Sequence, residues 1–387
     1  MTRMNGDISG VAVTQNPEVD RLRAPFEVHG RELTVGLEEE LMLLHPETLD
    51  LRPCAPELLT RLDGDARFKG EMPAAQLEIA GTPAATVGAA AAELLERRIA
   101  LAQTADGLAR IGGAGVHPFA AAEGVLNGGE RYDAIAAEYG TVARRQLVFG
   151  LHVHVAVAGA DRALAVYNGL REQLPALAAL GAASPFYEGR DSGLASVRPK
   201  LCDLLPRQGV PPAIPSWEAL ADTLAWGRQT GAVADPGQWW WEARLHHLHG
   251  TIELRVADAQ ATVADTAAIG ALVHALVATL ADRHDAGEDL GAAPSWRIGE
   301  NRWSACRHGV EGRWLDVRTG AACPMRDHLH ALIDAVAPAA ARLRCAAELE
   351  AARELVERPR ATIARQIAAA GGARALAAWQ ADRFLVA

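Results

Sequence analysis

Four short segments of the chain carry chemically capable residues two positions apart: Glu38 and Glu40, Gln76 and Glu78, His152 and His154, Glu253 and Arg255. On a β-strand, side chains at i and i+2 stand on one face roughly 6–7 Å apart, so each pair offers two groups to the same side of a sheet. The residues that alternate with them are aliphatic. Leu33, Val35, Leu37, Leu41 and Leu43 oppose the first pair, Leu77 and Ile79 the second, Leu151, Val153 and Val155 the third, and Ile252, Leu254 and Val256 the fourth. Such strands bury an apolar face and present a face made almost entirely of carboxylate and imidazole. Carboxylates crowded on one face repel each other unless cations neutralise them. Oxygen-rich ligand sets suit Mg²⁺, and imidazole is tolerated where the ion is Mn²⁺. Arg255 among those acids calls for a phosphate or a carboxylate that it can bind with two prongs. Metal, phosphate and arginine together point to phosphoryl transfer from a nucleotide. No GxxxxGK[ST] loop occurs, so the metal ions would have to do the positioning.

The elements that must hold these residues can be read in outline. Alternation puts Glu39 among the leucines, where a structural ion pair is expected. Long alanine-rich stretches with helical periodicity lie between the strands: Thr86–Arg110, Asp161–Ala183 opened by an N-cap Asp161, Val263–Asp285, and Arg326 to the end with a break near Pro338. The segment Pro206–Trp241, rich in proline and tryptophan, reads as looped. Residues 1–24 read as a loose polar tail, and 25–387 as one catalytic domain, since nothing after residue 25 marks a linker. The fold class expected is α+β: a largely antiparallel sheet backed by helices.

Composition narrows the function. The chain has 387 residues, 48 acidic against 38 basic side chains and a net charge of −10, which argues against nucleic-acid and anionic-membrane partners. No uninterrupted apolar run approaches the ~18 residues of a membrane span, and the first residues lack a signal-peptide stretch. Cys54, Cys202, Cys306, Cys323 and Cys345 are scattered, as expected of reduced thiols in the cytoplasm. Lys69 and Lys200 are the only lysines, which leaves little room for lysine chemistry.

The ordered motifs resemble those of a known family. Gly36-Leu37-Glu38-Glu39-Glu40-Leu41 is similar to the opening motif of the carboxylate–amine ligases, the glutamate–cysteine ligase 2 family, related to glutamine synthetase. The match continues through Gln76–Ala80, Gly115–Phe119, Gly150–Val155, Ser184–Phe186, Gly189–Arg198, Trp240–Arg244, Gly250–Val256 and Glu300–Trp303. The resemblance implies a sheet curved into an active-site funnel. In it, Glu38, Glu40, Glu78, His152 and Glu253 would bind the Mg²⁺ ions that hold ATP, and Arg255 would support the transferring phosphate. Arg255, Glu38 and Glu253 are thus the catalytic candidates. His154, Arg198, Arg244, Asn301 and Arg302 are candidates for contacts to substrate or nucleotide. The implied reaction is ATP-dependent amide formation through an acyl phosphate, with a small-molecule carboxylate and amine as partners and a homo-oligomer, first of all a dimer, as the assembly. Departures fall where substrate would sit. Leu194 and Val197 replace the family's frequent aromatic residues, and Leu245 with the run His246-His247-Leu248-His249 follows Arg244 where a proline is usual. They leave open weak glutamate–cysteine ligation, a different acid and amine in a specialised pathway, and a metal-dependent hydrolase on the same scaffold. The histidine run is expected to be a loop feature, and Trp239, Trp240 and Trp241 to be packing residues.

Overall fold

The computed structural model describes residues 16–28, 30–233 and 236–386. Its centre is an antiparallel sheet built on β1 (Val35–Leu44), with β2 (Phe68–Gly70), β3 (Gln76–Ala80), β4 (Arg110–Gly112) and β5 (Gly150–Ala156). A two-residue hairpin of β6 (Phe186–Tyr187) and β7 (Arg190–Asp191) lies apart, and β8 (Ala243–His246) and β9 (Thr251–Asp258) complete the sheet. The order is β2-β3-β1-β5-β9-β8, with β4 added to the C-terminal half of β1. β1 is long enough to pair β3 along one edge and β5, then β4, along the other. The outermost strand, β8, leaves one edge open.

One face of the sheet carries Leu37, Leu41, Leu43, Leu77, Ile79, Leu151, Val153, Val155, Ile252 and Leu254, all buried. It packs on the helices Val87–Thr104 and Val263–Asp285. Thr86 and Thr262 cap these helices, each hydroxyl accepting a backbone N–H of the first turn. Val263–Asp285 is the one described helix long and apolar enough to cross a bilayer, and 89% of its apolar 18-residue stretch is buried inside the protein. On this face Glu39 is fully buried and paired with Arg98, whose Nε and Nη2 donate to its two oxygens at 2.8 and 2.7 Å. The alternation that placed Glu39 among the leucines is therefore correct.

The sequence reading needs four corrections. Pro17–Arg23 is a helix, capped by Asn16 and with Val19 and Leu22 buried, not part of a loose tail; residues 1–15 of that tail lie outside the described residues. Gly159, not Asp161, is the N-cap of Ala160–Leu170; Asp161 sits in the first turn and pairs with Arg23. The helix Met325–Arg342 runs straight through Pro338, because buried Val336, Ala339 and Ala340 keep its apolar stripe on the core. The chain breaks instead after Arg342, where Arg344 takes a φ of 55°, and again at Pro359. Finally, Pro206–Trp241 contains the helix Trp217–Thr230, capped by Ser216 and ended by Gly231 in the left-handed region. Its stripe of Trp217, Leu220, Ala221 and Leu224 is ordinary helical spacing hidden among prolines and tryptophans.

Candidate active site

Register brings the predicted residues together. Glu38 faces His152 across β1 and β5, Glu40 faces Glu78 across β1 and β3, and His154 faces Glu253 across β5 and β9. Between Leu151 and Val153 the register slips, so that Arg255 and Val256 oppose the single residue His152. This bulge re-aims β9 beside the acids, and Arg255 Nη1 comes to lie 3.3 Å from His152 Nδ1 and 2.5 Å from Glu253 Oε1. Gly150 at the start of β5 leaves room for the side chains of Arg198 and Glu40. A Cβ there would meet Arg198 Nη2 at 2.3 Å and Glu40 Oε2 at 3.1 Å, whereas the bare backbone N–H donates to Glu40.

Glu38, Glu78 and His152 each present one ligand atom, and these atoms lie within 4.8 Å of one another. His152 Nδ1 is 3.7 Å from Glu38 and its Nε2 3.6 Å from Glu40; His154 Nε2 is 3.4 Å from Glu38 and 3.8 Å from Glu253. These separations leave the Nε2 atoms of both histidines buried without a hydrogen-bond partner. A divalent cation would give such orphaned nitrogens and crowded carboxylates a common partner, so the donor set fits Mg²⁺ or Mn²⁺.

The electrostatics divide the acids. Burial raises the Glu38 carboxyl, but the imidazoles of His152 and His154 outweigh it and hold the group well below the usual carboxylate range. Glu253 is fully enclosed; burial acts upward there too, and Arg255 with Arg244 overrides it to keep the group ionised. Burial together with Glu38 raises the Glu78 carboxyl, outweighing Lys69, 3.1 Å away, and His152. Glu71 goes further. Burial, then Glu78 and Glu40, push its carboxyl up to about 8.

Glu71, Lys69 and Arg131 are residues that the sequence reading did not assign to the site. Glu71 lies in the turn between β2 and β3, where no strand alternation marks it. Lys69 reaches the site because β2 pairs it directly with Glu78, and β2 is too short to show a pattern.

Two cavities flank the cluster. One, of about 110 Å³, is lined by Glu40, Glu71, Gln76, Arg131, Arg198 and Arg255 among others. Arg198 there donates only to the backbone carbonyls of Arg255 and Val256, so its charge has no acidic side-chain partner. The other, of about 130 Å³, lies between Glu38, His154, His249 and Thr251. His154 also touches the histidine run: His246, the last residue of β8, and His249 stack at 4.2 Å and stand 5.5 and 6.2 Å from its ring. His246 thus belongs to a strand, not to a loop. Trp240 lines the first cavity and packs edge-on against Tyr139.

Three anion-binding candidates do not stand free. Arg244 is turned onto Glu253 by two hydrogen bonds. Arg302 is locked by Glu242 at 2.6 Å and both oxygens of Asp203, and Asn301 braces the backbone of Leu315 from both its amide atoms. Asn301 and Arg302 line neither cavity and are engaged by the protein's own groups.

An open antiparallel sheet backed by helices, its polar face gathering glutamates, histidines and one bulge-mounted arginine, defines the fold class. A glutamate–cysteine ligase of Francisella tularensis, solved in complex with AMP, shares this fold with a TM-score of 0.67 at 13% identity, over 91% of this chain and 89% of that one. Residues 34–378 match the model of glutamate–cysteine ligase family 2, and the chain belongs to that family. A Rubrobacter xylanophilus protein provisionally named glutamate–cysteine ligase 2-3 is 37% identical over 344 residues, 86% of this chain and 93% of that protein. A Corynebacterium glutamicum protein provisionally named glutamate–cysteine ligase 2 is 34% identical over 84% of this chain and 88% of its own length.

Proposed function

We propose that the chain joins a carboxylate to an amine at the expense of ATP, through an acyl phosphate, in the cytoplasm. The observation that carries this reading is the meeting of Glu38, Glu78 and His152 within 4.8 Å, with the Arg255 guanidinium on the same face. Glu38, Glu78 and His152 would hold Mg²⁺, with Glu40, Glu253 and Glu71 around them. Bound there, the ion would screen and orient the phosphates of ATP.

The chain's own residues supply the rest. Arg255 offers planar donors to the equatorial oxygens of the γ-phosphoryl group, where charge spreads as it transfers. Glu253, kept ionised by Arg244 and Arg255, fixes the aim of that guanidinium. Arg198 and Arg131, in the cavity at the Glu71 end, provide cations for the substrate carboxylate. One carboxylate oxygen attacks the γ-phosphorus, the bond to the β,γ-bridging oxygen breaks, and ADP departs. The amine nitrogen then attacks the acyl carbon, the C–O bond to phosphate breaks, and inorganic phosphate leaves. His154, with Nε2 unpartnered between Glu38 and Glu253, is placed to take the proton the amine loses.

The test is ADP release with Mg²⁺ and ATP across a panel of carboxylates and amines, glutamate with cysteine included. Turnover that needs ATP and both substrates supports the ligase. Hydrolysis of an amide without nucleotide would make the same residues a metal-dependent hydrolase.

A further inference from the structure

A further space lies at the free edge of the sheet, against β8. It is a chamber of about 380 Å³ between the helix Trp217–Thr230, the segment of Pro212 and Pro215, and the side chains of Trp239 and Trp241. It wraps both sides of the edge strand. Ala243 and Leu245 line it from the core face, and Arg244 and His246 from the site face. Arg244 is the partner of Glu253, and His246 is stacked on His249, which lines the cavity beside Glu38 and His154. The chamber thus adjoins the end of the site where His154 would deprotonate an amine, not the arginine-rich end suited to a carboxylate.

We propose, resting on the ligase reading above, that this chamber receives the apolar group of the amine substrate, an aryl or comparably bulky hydrocarbon group. Its size argues for this. A cavity of ~150 Å³ already holds benzene, so this one has room for a ring and its linker, and the CH₂–SH of cysteine would leave most of it empty. Its walls argue likewise. Burial pushes His246 down to about 3, so even its polar rim presents a neutral aromatic ring. A purine is a poor occupant, because its edge asks for paired donors and acceptors while Pro212 and Pro215 have no N–H to give.

The probes are 2-phenylethylamine and ethylamine, titrated calorimetrically into the full chain without nucleotide, and ATP with Mg²⁺ titrated separately. The wild type should bind 2-phenylethylamine about tenfold or more tightly than ethylamine, the order of discrimination an apolar pocket gives. Leu220→Trp fills the chamber and should erase that preference while leaving ATP affinity within about twofold. Thr223→Trp, on an exposed wall position of the same helix, should act likewise and serves if the buried substitution unfolds the chain. Equal binding of the two amines to the wild type overturns the proposal. So does a chamber variant that loses ATP but keeps the amine preference, which would make the chamber an adenine site. The amine series is read without nucleotide, so failure of ATP to bind the wild type breaks the ligase reading separately.

Discussion

Strand β1 carries buried charge on both its faces, and the two faces resolve it in opposite ways. On the leucine face, Glu39 meets Arg98 with two-pronged geometry, the Thr266 hydroxyl donates to the same carboxylate at 2.5 Å, and Arg98 spends its remaining N–H groups on the carbonyls of Gln260, Ala261 and Phe384. Every charge has its partner inside the protein. On the other face, Glu38, Glu40, Glu71 and Glu78 crowd together, two imidazole nitrogens have no partner, and burial with Glu78 and Glu40 pushes the Glu71 carboxyl up to about 8. A closed arrangement stabilises the fold and can do nothing else. An open one costs stability unless something arrives to complete it, and that is what a binding site requires. Arg302, held by Glu242 and Asp203, is likewise paired within the protein.

The comparison can be broken most decisively at Glu38. Glu38→Gln removes one charge from the open face at constant shape and should lower ADP release by about 10³-fold or more while leaving the fold intact. A variant that turned over normally would remove Glu38 from the site.

The closed face should respond in the opposite sense. Arg98→Met leaves Glu39 buried and unpaired, and should cost ~3–5 kcal/mol in denaturant unfolding. Turnover per folded molecule should stay near that of the wild type. Intact stability would mean that the pair is not the closed unit described.

A smaller effect separates positioning from mere charge. Arg255→Lys keeps the cation but loses the planar fork, and kcat should fall by roughly 10²-fold with a lesser change in the KM for ATP. A change confined to the KM for the carboxylate would reassign Arg255 to substrate and pass its role to Arg198.

The smallest expected effect is a proton. With its carboxyl near 8, Glu71 is mostly protonated at pH 7, and the arrival of Mg²⁺ beside it should expel close to one proton. Because the raised group must lose its proton for the ion to bind, affinity for Mg²⁺ should climb as pH rises toward 8 and level off above it. Calorimetry in buffers of different ionisation enthalpy measures the release, and Glu71→Gln should abolish it. Persistence of the release in that variant would place the proton elsewhere.

Much of this site was legible because a strand converts spacing into sides. Glu38, Glu40, Glu78, His152, His154 and Glu253 reach one face by alternation alone, and the same rule sends Glu39 to the other. Alternation says nothing about turns or edges, so Glu71 and Lys69 were invisible until β2 was seen to pair with β3. Nor does it reveal where a long side chain finds its partner. Arg302 and Asn301 adjoin a family motif, yet their helix, Ser295–His308, points them at the protein's own groups. Arg244 shares the site face as expected, and only the register of β8 on β9 shows it engaged by Glu253. Pro338 misled for a related reason: a proline removes one hydrogen bond, and packing on the core face outweighs that loss.

Anomalous diffraction from crystals grown with Mn²⁺ and a non-hydrolysable ATP analogue tests the central claim most directly. The account predicts a manganese peak within about 2.2 Å of oxygens of Glu38 and Glu78 and a nitrogen of His152, with analogue phosphate oxygens completing its shell and the Arg255 guanidinium on the γ-phosphate. Manganese absent from that position, or phosphates bound away from Arg255, would contradict it.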